Sequence, residues 1–346
     1  MKKTKSFILI ITTAILFYNC ESNTEDLTTD PIGEPQEDSV LNRNLSFEEV
    51  YAFEDDLLGG PYIGMTYSSN DNNLFISSRE NAPAGSTTEE EVFKLSLDSY
   101  QLMRKNVSPG GFITKQLTTI NDTLVSIGGT EFKFYDTSFE YAGEKSYGNN
   151  FTLSKFGIAT HNNDTYIIGG YRVDGPSREN KKIRKLRGNI TGNQFEEFIN
   201  TSETMIGASG AIVNERLHVF GGALYEDFEA TNKIFIYPLN NPQSYEEFSM
   251  TVKADVTFVH KYGEIILVAG HKGLYGTDKT SFVGLFDTTT NTFEEIKTNL
   301  DSESGTKAIH QMIVKEDKII VLFGHKASSQ LPMSKWSILS ADLLKD

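Results

Sequence analysis

Arginine, tyrosine and histidine side chains follow several apolar segments of this 346-residue chain, and their chemistry suits polar ligands. Aromatic rings stack on the apolar faces of sugars, and a guanidinium group pairs with a carboxylate. The residues extend from position 79 to position 325, so only a fold that gathers the ends of distant segments can make them one site. The candidate ligand-binding residues are Arg79, Tyr171, Arg172, Tyr225, His271, Tyr275 and His325.

Compact motifs of common catalytic sites are missing from the sequence. It contains no Gly-x-Ser-x-Gly, no P-loop, no Cys-x-x-Cys and no His-Glu-x-x-His. His271 and His325 occupy equivalent positions in a repeat, but no third residue with metal-ligand spacing accompanies them. We therefore predict no catalytic residue, no metal and no cofactor, and whether the protein is an enzyme stays open at this point.

Six apolar segments that end near a glycine or serine divide residues 45–346 into similar units. The intervals between their anchor residues are 51, 41, 52, 48 and 54. An apolar segment precedes each one across a short polar turn, and two further strand-like segments follow, which predicts four antiparallel strands per unit and little helix. The six segments are LFISSR (74–79), LVSIGGT (124–130), YIIGGY (166–171), LHVFGGA (217–223), ILVAGH (266–271) and IVLFGH (320–325).

This repeat resembles the kelch repeat of β-propellers. The resemblance is carried by the glycine pairs at 128–129, 169–170 and 221–222 and by aromatic residues on the later strands. It implies an all-β, six-bladed kelch-type propeller with four antiparallel strands per blade. It also implies that the loops leaving the anchor strands share one face around a central channel, where ligands of such propellers bind.

The last repeat is incomplete, and an unassigned strand candidate precedes the first repeat. Residues 47–55 (FEEVYAFED) can supply an outer strand beside residues 335–343 (KWSILSADL). That pairing gives every blade four strands and removes the open join between the first and last blades. We therefore expect the N-terminal strand to close the ring.

Enzymes also use propellers of this kind, and the resemblance brings three precedents, of which the lyases typically need clustered histidines and a metal. Galactose-oxidase-like enzymes need copper and a cysteine bonded to a tyrosine, which is disfavoured because the single cysteine lies in the N-terminal region. Sialic-acid epimerases place acid and base residues in the funnel. An epimerase- or mutarotase-like enzyme acting on a sugar is therefore the alternative to a binding protein.

The N-terminus is typical of a secretory signal followed by a lipid-attachment cysteine. Lys2, Lys3 and Lys5 precede an apolar run over residues 7–17, which is too short to span a bilayer, and Cys20 follows. The arrangement resembles a bacterial lipobox, in the looser form that Bacteroidota tolerate. We predict a signal peptide over 1–19, lipid attachment at Cys20, an acidic flexible tether over 20–44 and the propeller over 45–346.

The charge of the chain limits its partners. Loss of residues 1–19 leaves 29 basic against 47 acidic residues, a net charge of −18, which disfavours nucleic acid. Seven acids and two prolines in residues 21–40 are typical of a solvated tether. We predict an exported protein, lipid-anchored to the outer membrane on the cell surface or periplasmic side, that binds a glycan, peptide or protein.

Overall fold

The computed structural model describes most of the chain after residue 40. The described residues are 41–53, 64–68, 72–79, 89–109, 116–120, 123–128, 131–136, 139–146, 153–162, 164–172, 180–186, 196–272, 280–300, 307–325 and 336–345. Among them, no helix is long and apolar enough to cross a membrane. The predicted signal peptide, Cys20 and most of the tether lie outside these residues.

The described chain is built from short strands. They are β1 (Asn44–Leu45), β2 (Glu48–Phe53), β3 (Gly64–Ser68), β4 (Asn73–Arg79), β5 (Glu89–Ser96), β6 (Leu102–Pro109), β7 (Gln116–Ile120), β8 (Thr123–Ile127), β9 (Glu131–Tyr135), β10 (Tyr141–Ser146), β11 (Leu153–His161), β12 (Asp164–Arg172), β13 (Lys182–Leu186), β14 (Glu196–Asn200), β15 (Met205–Ile206), β16 (Ser209–Val213), β17 (Arg216–Phe220), β18 (Ala223–Leu224), β19 (Thr231–Pro238), β20 (Glu246–Tyr262), β21 (Ile265–Lys272), β22 (Thr280–Asp287), β23 (Thr292–Thr298), β24 (Lys307–Lys315), β25 (Lys318–His325) and β26 (Trp336–Asp342). The all-β prediction is confirmed.

Four sheets have four strands each, and every neighbouring pair in them is antiparallel. They contain β3 to β6, β7 to β10, β11 to β14, and β24 to β26 with β2. The six apolar segments that define the repeat all form second strands, as predicted, because each pairs on both sides and its Val, Ile and Leu side chains are buried. The pairing of β2 with β26 confirms that the N-terminal strand joins the last sheet.

The remaining large sheet has eight strands, whereas the sequence predicted separate four-stranded units. Its order is β1-β23-β22-β21-β20-β19-β17-β16. The first half of β20 pairs with β19 and the second half with β21. Both halves meet at Ala254, which pairs with Thr231 on one side and Lys272 on the other. The chain thus passes from one four-stranded group to the next without losing its pairing.

The pairing registers define two ends of the sheets. At one end the first two strands of a sheet join through tight hairpins, as in the pairs His161–Asp164 and Val213–Arg216. We call this end the hairpin face. At the opposite end, called the loop face, lie the ends of the second strands, such as Arg172 and Lys272, and the segments that join one sheet to the next.

The innermost strands contact one another in a closed circle. β3 contacts β7, β7 contacts β11, and the series continues through β16, β20 and β24 back to β3. The buried apolar residues form clusters between neighbouring sheets, such as Tyr166 and Ile183 with Val219 and Phe235. Adjacent hairpins are also joined by polar bonds, for example from Tyr262 Oη to Asp317 Oδ1 at 2.5 Å. These sheets are arranged as in a propeller.

The N-terminal described segment fastens the outer rim. Leu41 forms an isolated bridge with Leu344, and β1 pairs in parallel with β23. Asn299 Nδ2 donates to Phe47 O, and its Oδ1 accepts from Phe47 N, both at 2.9 Å. Ordered pairing therefore begins a few residues before position 45, where the sequence predicted the propeller to start. That domain boundary itself stays a prediction.

Candidate functional site

The structure describes the predicted site residues to different extents. Tyr275 and Cys20 lie outside the described residues. Arg79 ends β4 and pairs with Glu90, and His325 ends β25 and pairs with Lys307, but only their backbones are described. The site is therefore built from Tyr171, Arg172, Tyr225 and His271.

Tyr225 is held by a small, closed turn on the loop face. The two-stranded ribbon of β15 and β18 leads into it, and Ala223 bridges to Ala230 where the turn ends. Leu224 N donates to Glu229 O at 3.0 Å, and Phe228 N donates to Leu224 O at 2.9 Å. These bonds fix the backbone of the turn, and the turn thereby fixes the position of Tyr225.

Tyr171, Tyr225 and Phe228 form a row of rings that we call the aromatic ladder. Tyr171 ends β12 and Tyr225 follows β18, yet their ring centroids are 6.3 Å apart, with 31° between the planes. Phe228 continues the row at 5.9 Å from Tyr225. The two tyrosines are half-buried and Phe228 is 37% exposed, so the row has a solvent-facing side. Rings at such spacing can stack on a ligand that extends across two sheets.

A buried lysine supports the ladder from below. Lys155 adopts a left-handed backbone conformation (φ +57°), and its Nζ lies 5.8 Å from the centre of the Tyr171 ring. Its carbonyl accepts from Gly207 N at 2.8 Å, just after the β15 strand. A cation over one face of a tyrosine is attracted by the π electrons, and here it orders the ring.

Two arginines belong to the same sheet as Tyr171. Arg172 follows Tyr171 and is half-buried. Arg184 Nη1 donates to Asn180 Oδ1 at 2.9 Å, while Asn180 Nδ2 donates to Gly169 O at 2.5 Å. Burial lowers the pKa of the Arg184 guanidinium, and the neighbouring Arg172 charge lowers it further against the opposing effect of Glu197. The arginines thus place positive charge in the sheet that ends at Tyr171, whereas the turn that carries Tyr225 and Phe228 exposes Glu226, Asp227 and Glu229.

His271 lies inside a junction between sheets, not on the exposed loop face. It is 3% exposed, and its Nε2 donates to Ile309 O at 2.5 Å. The ring of His310 lies 6.1 Å away and in turn packs 4.8 Å from Trp336. This burial removes His271 from the set of side chains that a ligand at the surface can reach, and its contacts give it a structural role.

Side chains also cross the centre of the ring. Gln116 Nε2 donates to Phe156 O at 3.1 Å, and Gln311 Nε2 reaches Gln116 Oε1 at 3.4 Å. Towards the hairpin face, the rings of Tyr67 and His260 lie 6.3 Å apart. The bond from Gln116 to Phe156 joins the neighbouring strands β7 and β11, whereas the Gln311–Gln116 and Tyr67–His260 contacts join innermost strands that are not neighbours in the circle.

The described residues hold no group that is arranged like a metal site. No three His, Cys, Asp or Glu side chains among them lie close enough to hold a metal ion. Among the described residues, burial lowers the pKa values of His218, within its sheet, and of His260, near the hairpin face, to about 4. Neither lies beside the ladder, where an acid–base pair would be needed for sugar chemistry.

Sequence reasoning missed Phe228 and Lys155. Phe228 has a positive φ of 57°, which is uncommon for an aromatic residue and belongs to the closed turn. The only sequence signal was an aromatic residue inside the polar segment Tyr225–Ala230. Lys155 gave no signal, because a lysine at the start of a strand is ordinarily read as exposed.

Comparison with known proteins supports the architecture. No protein-family model matches the chain, and no curated protein matches it. A solved structure described as "Structure of YjhT", a kelch/β-propeller-type protein, is similar over 68% of this chain and 83% of its own, with 12% sequence identity and a TM-score of 0.50. At this identity the likeness concerns the fold alone. The chain has a β-propeller fold.

Proposed function

We propose that this protein is a lipid-anchored cell-envelope protein that binds a glycan on the loop face of a six-bladed kelch-type propeller. One observation carries the proposal. Tyr171 and Tyr225, chosen from the sequence as ligand-binding candidates, belong to different sheets and yet form one row of rings with Phe228. A ladder that is held by a closed turn loses little conformational entropy on binding.

The propeller has six blades if the eight-stranded sheet is counted as two blades. This division is supported by strand β20, in which only Ala254 pairs with both neighbouring strands, β19 and β21. The circle of innermost strands also takes one strand from each four-stranded sheet and two, β16 and β20, from the large one. The apolar clusters Ala211–Phe220–Ile234 and Ile266–Val268–Phe286 pack against each other across that junction, as two blades would.

A glycan suits the ladder better than a globular protein partner. The rings are tilted, and successive centroids are 6.3 and 5.9 Å apart, so a ligand with several apolar faces, such as a chain of sugar units, can contact more than one ring. The described part of the loop face otherwise offers few large exposed apolar side chains, and the exposed Leu102 and Met103 lie on an outer strand instead. A hydrophobic protein interface would require a larger apolar patch.

Truncation of Tyr225 should weaken ligand binding. We expect Tyr225→Ala to weaken the affinity of the soluble domain (residues 41–346) for its best oligosaccharide by about fivefold to tenfold, because stacking on this half-buried ring contributes roughly 0.5–1.5 kcal/mol in addition to the apolar area that it buries. Isothermal titration calorimetry on a ligand found with an oligosaccharide array measures this. The control is Tyr245→Ala, which removes a 41% exposed tyrosine from a turn at the hairpin face. Equal losses in both variants would refute the ladder as the site.

Membrane anchoring is proposed from the N-terminal sequence. Lys2, Lys3 and Lys5, the apolar run and Cys20 support lipid attachment. Leu41 bridges to Leu344 at the hairpin face, so the chain enters the propeller on the side opposite the ladder. A long acidic tether would then leave the loop face accessible.

Replacing Cys20 should release the protein from the membrane. We expect Cys20→Ser to move the protein from the membrane fraction to the soluble exported fraction and to end incorporation of labelled palmitate. Ser6→Ala, which alters the signal region but keeps the cysteine, serves as the control. Retention of Cys20→Ser in washed membranes would contradict lipid anchoring, while leaving the ligand proposal to its own test.

A further inference from the structure

The turn that carries two rings of the ladder is acidic as well as aromatic. Its residues in chain order are Tyr225, Glu226, Asp227, Phe228 and Glu229. The first is half-buried and the other four are exposed. Carboxylates attract cations by their charge, and the faces of aromatic rings attract them through the π electrons. Both features occur in one short turn, which therefore favours a positively charged group of a ligand.

The contacts of the turn distinguish Glu226 from the other two acids. Asp227 Oδ1 accepts from Glu229 N at 2.9 Å, so this carboxylate helps to hold the backbone of the turn. Glu229 pairs with Lys253 of β20 at 2.6 Å. Glu226 is exposed, and within the described part of the chain no hydrogen bond or ion pair engages its carboxylate. Because it directly follows Tyr225, it is the acid that a ligand on that ring can use.

The two ends of the ladder differ in charge. At one end Lys155 Nζ already lies 5.8 Å from the centre of the Tyr171 ring, and its charge disfavours a second cation there. At the other end the rings of Tyr225 and Phe228 are 5.9 Å apart with 59° between their planes. One ammonium group can lie within about 6 Å of both of these centroids. A positive group of the ligand therefore belongs at the Phe228 end.

We propose that the ligand of the aromatic ladder is a glycan with free amino groups, one of which lies between Tyr225 and Phe228 and donates to the Glu226 carboxylate. This inference rests on the proposed glycan-binding function and specifies its ligand class. A neighbouring sugar unit stacks on Tyr171 and needs no charge there. The formal net charge of the whole chain, −15, favours the approach of a cationic glycan.

Matched oligosaccharides test the inference. The soluble domain is titrated at mildly acidic pH with β-1,4-linked hexamers of glucosamine, N-acetylglucosamine and glucose, which carry an ammonium, an amide or a hydroxyl group at the same carbon. We expect the glucosamine hexamer to bind about tenfold more tightly than the other two, and less tightly when salt rises from about 0.05 M to about 0.3 M. Glu226→Gln should weaken its binding about threefold to tenfold and leave the affinity for the neutral hexamers unchanged.

The control is Glu316→Gln, which removes one exposed carboxylate from a turn at the hairpin face and should leave the affinity unchanged. An equal loss in this variant would show bulk attraction to an acidic protein and overturn the inference. Tyr225-dependent binding of poly-L-lysine with equal affinity would overturn the requirement for sugar rings. Tyr225-dependent binding of the three hexamers with no preference for glucosamine would overturn the charge assignment and leave glycan binding intact, whereas no binding of any glycan would count against both.

Discussion

Gly169→Ala is expected to lower the free energy of unfolding by about 3 kcal/mol or more. Gly169 has a φ of +59°, and a Cβ at this position would lie 1.9 Å from Met205 O. The left-handed conformation and the backbone overlap are separate costs, and neither can be relieved by a side-chain rotation. The neighbouring β15 strand must move instead, and it carries the ribbon that leads to Tyr225.

Urea unfolding of the soluble domain measures this loss. Gly143→Ala is the matched control, since Gly143 also has a positive φ but a methyl group added there would meet only open space. We expect it to cost only about 1 kcal/mol. If both alanine variants were equally stable, the close approach of β12 to Met205 would be wrong. The same variants should also separate in ligand affinity, because only Gly169→Ala displaces the ladder.

Acid is expected to destabilise the propeller through His218. This imidazole is almost fully buried, and its Nδ1 donates to Arg216 O at 2.9 Å. Burial lowers its pKa from 6.5 to about 4. The unfolded chain therefore binds a proton that the folded chain excludes, and stability is lost as the pH falls from about 6.5 towards 4. For this one group the loss between pH 7 and pH 4.5 is about 2 kcal/mol.

A variant without this titration isolates the effect. The free energy of unfolding of His218→Gln should be lower than that of the wild type at pH 7, and the difference should shrink by about 2 kcal/mol at pH 4.5. His161→Gln provides the control, because His161 pairs with Glu215 at the exposed hairpin face. Parallel pH profiles for wild type and His218→Gln would show that His218 takes up its proton in the folded state.

The sequence predicted the strands well because the repeat is a physical unit. Each second strand is buried on both sides, so its apolar run is continuous and its end is marked by a glycine or serine. The N-terminal strand was predictable because the last repeat lacked an outer partner. The eight-stranded sheet was not predictable. Nothing in the residues around Ala254 indicates that the strand continues from its pairing with β19 to its pairing with β21 without a break.

The candidate site was predicted less completely, for reasons of three-dimensional packing. Tyr171 and Tyr225 were identified from their positions at strand exits, but their separation depends on the turn that ends at Ala230. His271 has the same place in its repeat as His325, yet it is buried against Ile309. Equivalence within a repeat predicts the position along a strand, while exposure depends on the neighbouring blade.

The most direct test of the central claim is amide hydrogen exchange on residues 41–346 with and without an oligosaccharide selected on an array. We predict that ligand slows exchange over 164–172 and 223–231, where the ladder is held, and leaves the hairpins near 214–215 and 263–264 unchanged. Protection at those hairpins, or no protected segment with any glycan, would contradict a glycan-binding site on the loop face.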